Sequence, residues 1–272
     1  MTTLPLAGVI GDPVAHSRSP CLHGHWLKHY GINGHYVPLH IRPEDFGDAV
    51  RMLPKMGFRG VNVTIPHKHD ALGVADIVTP LADRIGAANT LTFTPEGIEA
   101  DNTDAYGFAQ NILASHSDWA PKIVALVGAG GASRAVIVAL QDAGVEEIRL
   151  SNRTQARAEE LAGDLGETIT VVPWEHRSGM LDGCDTLING TAMGMVGEPP
   201  LDLDLSALPK SAIVTDLVYV PLETPLLAAA RARGNATVDG LGMLLHQGAP
   251  GFERWFGQRP EVDEALRRAV LG

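Results

Sequence analysis

One stretch, Lys122 to Gly144 (KIVALVGAGGASRAVIVALQDAG), constrains the fold of this chain more than any other. It opens with an apolar run of strand length, Ile123 to Val127. Gly128-Ala129-Gly130-Gly131-Ala132-Ser133 then reads as a glycine turn, and Ala135 to Ala143 as an apolar helix closed by Gly144. A strand, a glycine turn and a helix, in that order, are the setting in which a dinucleotide fingerprint carries weight. Gly128 permits the tight turn, Gly130 lets a pyrophosphate approach the backbone, and small residues beyond it let the helix pack close to the strand. The free N–H groups and positive dipole end of the helix suit phosphate. Ser133 stands where the strict pattern has its third glycine and is small enough to fit. An ordinary tight strand–helix turn would look similar, but the flanking elements favour cofactor binding.

The next strand of this half, Glu147 to Ser151, ends in Asn152-Arg153-Thr154. An NAD-binding unit places an acid roughly 20 residues past the glycines, on the ribose 2′-hydroxyl. Arg153 stands there instead, a residue able to pair with a 2′-phosphate and stack on adenine. A plain surface arginine is the other reading; the position favours NADP. Further strands are expected at Thr168 to Val172, Thr186 to Ile188, Ile213 to Asp216 and Ala236 to Val238, with a helix over Pro225 to Arg233.

The 272 residues suffice for one large or two modest domains. A net charge of −11 without a basic run argues against a nucleic-acid partner. No apolar run is long enough for a membrane span, and Met1-Thr2-Thr3-Leu4 does not start a signal peptide. Cys21 and Cys184 lack metal-type spacing, so reduced thiols in a cytoplasmic protein are expected. His23, His25 and His29 are read as surface histidines, because no third ligand and no HExxH accompany them; no metal is expected.

The first part of the chain alternates strands (Leu6 to Ile10, His35 to Leu39, Gly60 to Thr64) with helices (Cys21 to Tyr30, Pro43 to Met56, and a turn begun by Pro66), which predicts an α/β domain with a mostly parallel sheet. Ligands in such sheets bind beyond the carboxyl ends of the strands. The loop after the first strand carries Ser17 and Ser19; Ser19 suits helix capping, and the two hydroxyls together suit a carboxylate. The loop after the third carries Asn62 to Lys68, where Lys68 is either a solvated lysine or a functional one. A hairpin over Leu91 to Asp101 leads through Asp101-Asn102-Thr103-Asp104 into a helix that connects to the glycine turn, with Asp101 or Thr103 as its candidate N-cap. Helices from Gly240 onward are expected to pack back on the first domain, giving a substrate domain of residues 1–102 plus 240–272 and a cofactor domain of 103–239.

Together these stretches resemble the shikimate dehydrogenase family along essentially the whole chain. The segments that carry the likeness are Gly11 to Pro20 with His23, Gly60 to Lys68, Gly86 to Thr90, Asp101 to Asp104, the Gly128 to Ser133 turn, Asn152-Arg153-Thr154, Tyr219-Val220-Pro221, and Met243-Leu244 with Gln247-Gly248. Gly24 after His23 and Asn189-Gly190-Thr191-Ala192 depart slightly from the family pattern. The resemblance implies NADP-dependent, reversible reduction of 3-dehydroshikimate to shikimate by a monomer or homodimer with a Rossmann-type cofactor domain. It implies Lys68 as acid/base with Asp104 as its partner, and Ser17, Ser19, Thr64, Asn89, Tyr219 and Gln247 at the substrate. Gly128, Ala129, Gly130, Gly131, Ala132, Ser133, Asn152, Arg153, Thr154, Thr191, Ala192, Met193, Leu217 and Gly240 would line the cofactor. Three alternatives stand beside this: a relative accepting quinate, including one that uses NAD; a cofactor-binding regulator without turnover; and another two-domain oxidoreductase on the same scaffold.

Overall fold

Strands and helices alternate along the computed structural model, which describes residues 4–272. The first elements are β1 (Leu6–Gly11), α1 (Ser19–His29), β2 (His35–His40), α2 (Phe46–Met52), β3 (Phe58–Val63), α3 (Asp70–Gly73), β4 (Ile77–Val78), α4 (Pro80–Ile85), β5 (Thr90–Thr94), β6 (Gly97–Asp101) and α5 (Asp104–Leu113). β7 (Ile123–Val127), α6 (Gly131–Asp142), β8 (Glu147–Ser151), α7 (Gln155–Leu165), β9 (Ile169–Val171), β10 (Thr186–Asn189), β11 (Ile213–Asp216), α8 (Pro225–Arg233) and β12 (Ala236–Val238) follow, and α9 (Leu241–Phe256) and α10 (Glu264–Leu271) end the chain. They form two units: the residues up to Gly107 with Leu244–Gly272, and Phe108–Met243.

The sheet of the first unit runs β2-β1-β3-β5-β6-β4. β1 pairs in parallel with β2 and β3, as β4 does with β6, while β3–β5 and β5–β6 are antiparallel. Alternation along the strands gives the sheet two unlike faces. Ile10, Val61, Val63, Leu91 and Ala100 point into an apolar core with Phe46, Val50 and Leu53. Tyr36, Asn62, Thr90 and Asp101 point the other way, under α1 and α9. There Trp255 lies against Gly60, where any Cβ would collide with its indole nitrogen, and that nitrogen donates to Leu91 O at 3.2 Å.

The second unit holds an all-parallel sheet, β12-β11-β10-β7-β8-β9, the doubly wound order of a Rossmann-type fold. The strand order reverses between β7 and β10, so the loops after these two strands flank the crevice where such sheets bind ligands. Val136, Ile137 and Leu140 of α6 are fully buried, as are Val124 to Val127 of β7.

Several local expectations are corrected. The helix expected over Pro43 to Met56 is interrupted: α2 covers only Phe46–Met52, and Pro54, which has no N–H to continue the ladder, starts a separate 3-10 turn. Ser19 does not cap α1; Arg18 occupies the cap position and Ser19 is already helical. Asp101 and Thr103 give their side chains to other partners, and the Asp104 N–H is satisfied by Asn102 Oδ1 at 2.9 Å. His23 is not a surface residue but fully buried.

Candidate active site

Two loops at the carboxyl ends of neighbouring strands build one side of the site in the first unit. Thr64 N donates to Ile10 O at 2.9 Å and Asp12 N to Ile65 O at 3.1 Å, which fastens the loop after β1 to the loop after β3. Gly11 allows this approach, since a Cβ there would come within 2.6 Å of the Thr64 methyl. The first loop presents Ser17 and Ser19; Ser17 Oγ accepts from Ser19 N at 3.3 Å, and the Ser19 side chain makes no cap bond. The second loop carries Thr64 and then Lys68, which lies in a turn just ahead of α3.

Lys68 Nζ donates to Asp104 Oδ2 at 2.6 Å, with the lysine side chain 21% and the carboxylate 9% exposed. Asn89 Nδ2 donates to the other oxygen of Asp104 at 2.8 Å and to Gln247 Oε1 of α9 at 3.3 Å. Asn89 Oδ1 accepts from Thr103 N at 2.8 Å, Thr90 Oγ1 at 2.9 Å and Thr103 Oγ1 at 3.1 Å. Three donors on one oxygen fix which way the amide faces, so its NH2 must serve Asp104 and Gln247. The carboxylate is thereby held by an ammonium and an amide, leaving the partly exposed ammonium able to meet a ligand. An ammonium can give a proton to an oxygen that gains negative charge, and its free amine can take one back.

In the second unit the glycine turn has the shape a pyrophosphate needs. Gly128 adopts φ +109, and a Cβ there would lie 2.8 Å from Gly190 C and from Thr191 Cγ2. At Gly130 and Gly131 an added Cβ meets almost nothing, so the backbone faces open space. The first N–H groups of α6 lack intrahelical acceptors by position. Ser133 fills the third-glycine position: buried, it donates to Gly128 O at 2.8 Å and accepts from Gly130 N at 3.3 Å, with Gly190 leaving room for its hydroxyl. Asn152 Oδ1 accepts from Ala129 N at 3.0 Å, tying the turn to the loop after β8. Arg153 and Thr154 are exposed on that loop. After β10, Thr191 bonds to Asn189 Oδ1 through N and Oγ1, and Met193 N bonds to Thr191 Oγ1 at 3.0 Å. Asp216 at the end of β11 is buried, which raises its pKa, and Thr224, Val218 and Asn189 donate to it in compensation. Gly240 abuts Leu217 O, where a side chain would not fit. These residues suit a dinucleotide: an open glycine cradle, a helix N-terminus and, in Arg153, a guanidinium without an ion pair among the described residues.

The family models match the chain in the order of these elements: the shikimate dehydrogenase substrate binding domain over residues 9–91, shikimate / quinate 5-dehydrogenase over 108–196, and the shikimate 5′-dehydrogenase C-terminal domain over 240–271. The shikimate dehydrogenase (NADP(+)) of Paracoccus denitrificans (strain Pd 1222) is 59% identical over 270 residues, 98% of this chain and 96% of the relative. The chain belongs to the shikimate dehydrogenase family. Solved members have the same fold. Quinate dehydrogenase from Corynebacterium glutamicum, in complex with NAD, superposes with a TM-score of 0.92 at 31% identity, covering 98% of this chain and 99% of that one. Shikimate 5-dehydrogenase from Thermus thermophilus, in complex with NADP(H) and shikimate, gives 0.87 at 37% identity, covering 98% and 100%.

For a shikimate dehydrogenase of this sequence, Lys68, Asn89, Asp104 and Gln247 are directly linked. Ser17 and Thr64 sit on the adjoining loops, and Ser19 opens α1 two residues after Ser17. Tyr219, half-buried, belongs to the loop after β11 in the other unit. Arg157 was not foreseen: it opens α7 one turn beyond Arg153, exposed and without an ion pair among the described residues. A second basic residue so close to the NADP-type arginine is the signal that could have found it. Among the described residues no three His, Cys, Asp or Glu side chains gather as metal ligands, and no helix is long and apolar enough to cross a membrane.

Proposed function

We propose that this protein catalyses the reversible, NADP-dependent reduction of 3-dehydroshikimate to shikimate, with Lys68 moving the proton. The observation that carries the reading is the Lys68–Asp104 pair at 2.6 Å, with Asn89 and Gln247 bonded into the same cluster. The cofactor supplies the hydride; the protein must orient the substrate and handle one proton. Lys68 Nζ donates that proton to the carbonyl oxygen as charge develops there, and accepts it from the hydroxyl in reverse. Asp104 orients the ammonium, and Thr64, Asn89 and Gln247 hydrogen-bond ring hydroxyls. Ser17 and Ser19 receive the substrate carboxylate as neutral donors, and Tyr219 stands near the ring.

For the cofactor, Gly128 to Ser133 cradle the pyrophosphate, with Asn152 bracing the turn, and Arg153 with Thr154 meets the 2′-phosphate. Arg157 adds a second guanidinium. Thr191, Ala192, Met193, Leu217 and Gly240 line the remainder. Residues 1–102 with 240–272 act as the substrate domain and 103–239 as the NADP domain. The free thiols of Cys21 and Cys184 accord with a cytoplasmic setting. A second reading, quinate as the preferred substrate, is supported by the close superposition on the quinate dehydrogenase; Arg153 in place of an acid speaks against its NAD-dependent form.

Purified protein assayed with shikimate or quinate, each with NADP⁺ or NAD⁺, tests the proposal. Shikimate with NADP⁺ should give the highest kcat/KM. Turnover of quinate alone would replace the substrate, and no turnover with any pair would leave a binding protein.

A further inference from the structure

The polar face of the first unit's sheet carries a run of side chains that the proton-transfer chemistry does not use. Tyr36 OH donates to Asn62 Oδ1 at 2.7 Å. With its oxygen so occupied, the Asn62 amide turns its NH2 toward Thr90 Oγ1 at 3.3 Å and Asn89 O at 3.2 Å. Thr90 Oγ1 then accepts from Asn62 and places its only proton on Asn89 Oδ1 at 2.9 Å. Asn89 Nδ2 in turn reaches Asp104. Each donor is set by the one before it, and every member except Tyr36, at 7% exposed, is 6% exposed or less.

The sheet is built to admit this run. Tyr36 stands in register with Ala7 and Gly60, two small residues that let its ring lie across the strands, and Asn62 stands directly opposite Thr90. His23 stacks flat on the Tyr36 ring at 3.9 Å with planes 2° apart, and Trp255 packs at 6.2 Å. Burial keeps the phenol protonated, its pKa well above the ordinary value, with the Ser19 hydroxyl offsetting part of the shift. Tyr36 therefore remains a donor throughout the working range of pH.

We propose that Tyr36, Asn62 and Thr90 are positioning residues for the proton-transfer pair. Their one-way hydrogen bonds act together with the Thr103 N–H and hydroxyl to hold the Asn89 amide in place and, through it, the Asp104 carboxylate that holds Lys68. A flipped Asn89 amide would set an oxygen against that carboxylate and turn Asp104 away from its lysine. The inference rests on the reading of Lys68 and Asp104 given above.

The test is steady-state kinetics with shikimate and NADP⁺ on Tyr36→Phe, which keeps the stacked ring, on Thr90→Val, and on the double variant. Each single change should lower kcat about threefold to tenfold, the effect of one misdirected hydrogen bond on a reacting geometry, and leave KM for NADP⁺ unchanged. The double variant should be no slower than the poorer single, because the run is broken only once. Thr90→Ser, which keeps the hydroxyl, should restore kcat. Val61→Ala, on the opposite apolar face, should lower Tm and spare kcat. Normal kcat in Tyr36→Phe and Thr90→Val, multiplicative losses in the double variant, or an equal kcat loss in Val61→Ala would each overturn the relay. Should Tyr36→Phe not fold, the Thr90→Val and Thr90→Ser pair decides the matter alone. Lys68→Ala, assayed in parallel, separates the two levels: kcat lost there but normal in the relay variants removes only the relay, whereas normal kcat in Lys68→Ala removes the pair it was meant to position.

Discussion

The two units solve their recognition problems with different materials. In the first, the central cluster is made of side chains already bonded to one another: Lys68 to Asp104, Asn89 to Asp104 and Gln247. In the second, the cradle is backbone, made by glycines that leave space at Gly130 and Gly131, and its charged group, Arg153, stands exposed. A small polyol offers few contacts, so its site gains most from fixed donors and acceptors. A phosphate offers charge and several oxygens, which main-chain N–H groups and a guanidinium satisfy with less prearrangement. Changes in the Lys68 cluster should therefore act on kcat and changes at the second unit's glycine turn and Arg153 on cofactor KM.

The largest expected effect lies in the first unit. Lys68→Ala should lower kcat by about 10²–10⁴ and largely spare NADPH binding. Asp104→Asn should impair kcat as well, and the double variant should be little worse than the poorer single. A raised KM with kcat intact would make Lys68 a binding residue and erase the contrast. In the second unit, Arg153→Ala removes a charge-assisted hydrogen bond of about 1.5–3 kcal/mol and should raise KM for NADP⁺ roughly tenfold or more. KM for NAD⁺ should hardly change; equal losses for both cofactors would show that Arg153 is structural.

Acid should strain the first unit through His23. Burial holds its pKa at about 3, against 6.5 in the unfolded chain, and the nearby Asn62 side chain offsets that shift only in part. Neither ring nitrogen makes a hydrogen bond of good geometry among the described residues. Between those pKa values the unfolded chain binds a proton that the folded one refuses. The stability is thus complete above 6.5 and falls as pH drops toward 3, by up to about 1.4 kcal/mol per pH unit. Denaturant titrations from pH 7 to 4 should show a flatter decline for His23→Phe than for the parent. An unchanged slope would place the acid sensitivity elsewhere. Asp216 in the second unit acts in the opposite sense: its raised pKa means that its contribution is lost as pH rises through the folded value. The smallest effect is expected from Ser17→Ala and Ser19→Ala, each weakening substrate binding by about 1 kcal/mol or somewhat more, with NADPH affinity unchanged. A lower Tm alone for Ser19→Ala would give that hydroxyl a structural role.

The same contrast governs how much could be read from the sequence. The second unit's glycine turn is made of consecutive residues, and β7, the turn and α6 announce themselves through apolar spacing and glycine. Glu147–Ser151, Ile213–Asp216 and Pro225–Arg233 fall where periodicity, proline and glycine place them. In the first unit, strand ends located Ser17, Ser19 and Lys68, but the bonds among the site residues join positions far apart in the chain. Nothing in the spacing of Tyr36, Asn62 and Thr90 marks them as connected; only the register of β2, β1, β3 and β5 does. The β4–α4 segment escaped because a strand of two residues, Ile77–Val78, has no period to detect. Ser19 looked like a cap because a serine before proline usually is one, whereas here the helix starts one residue earlier.

The return of α9 to the first unit also sets an order of events during synthesis. Residues 108–243, with every strand of the second sheet, are synthesised before Gln247 and Trp255. Until then the sheet face bearing Tyr36, Asn62 and Thr90 lacks the indole that lies against Gly60, and Asn89 lacks its glutamine. The contiguous unit can fold as it emerges. The unit begun first is finished last, because the Lys68 cluster has no glutamine and Gly60 no indole until the second unit's residues have all been made.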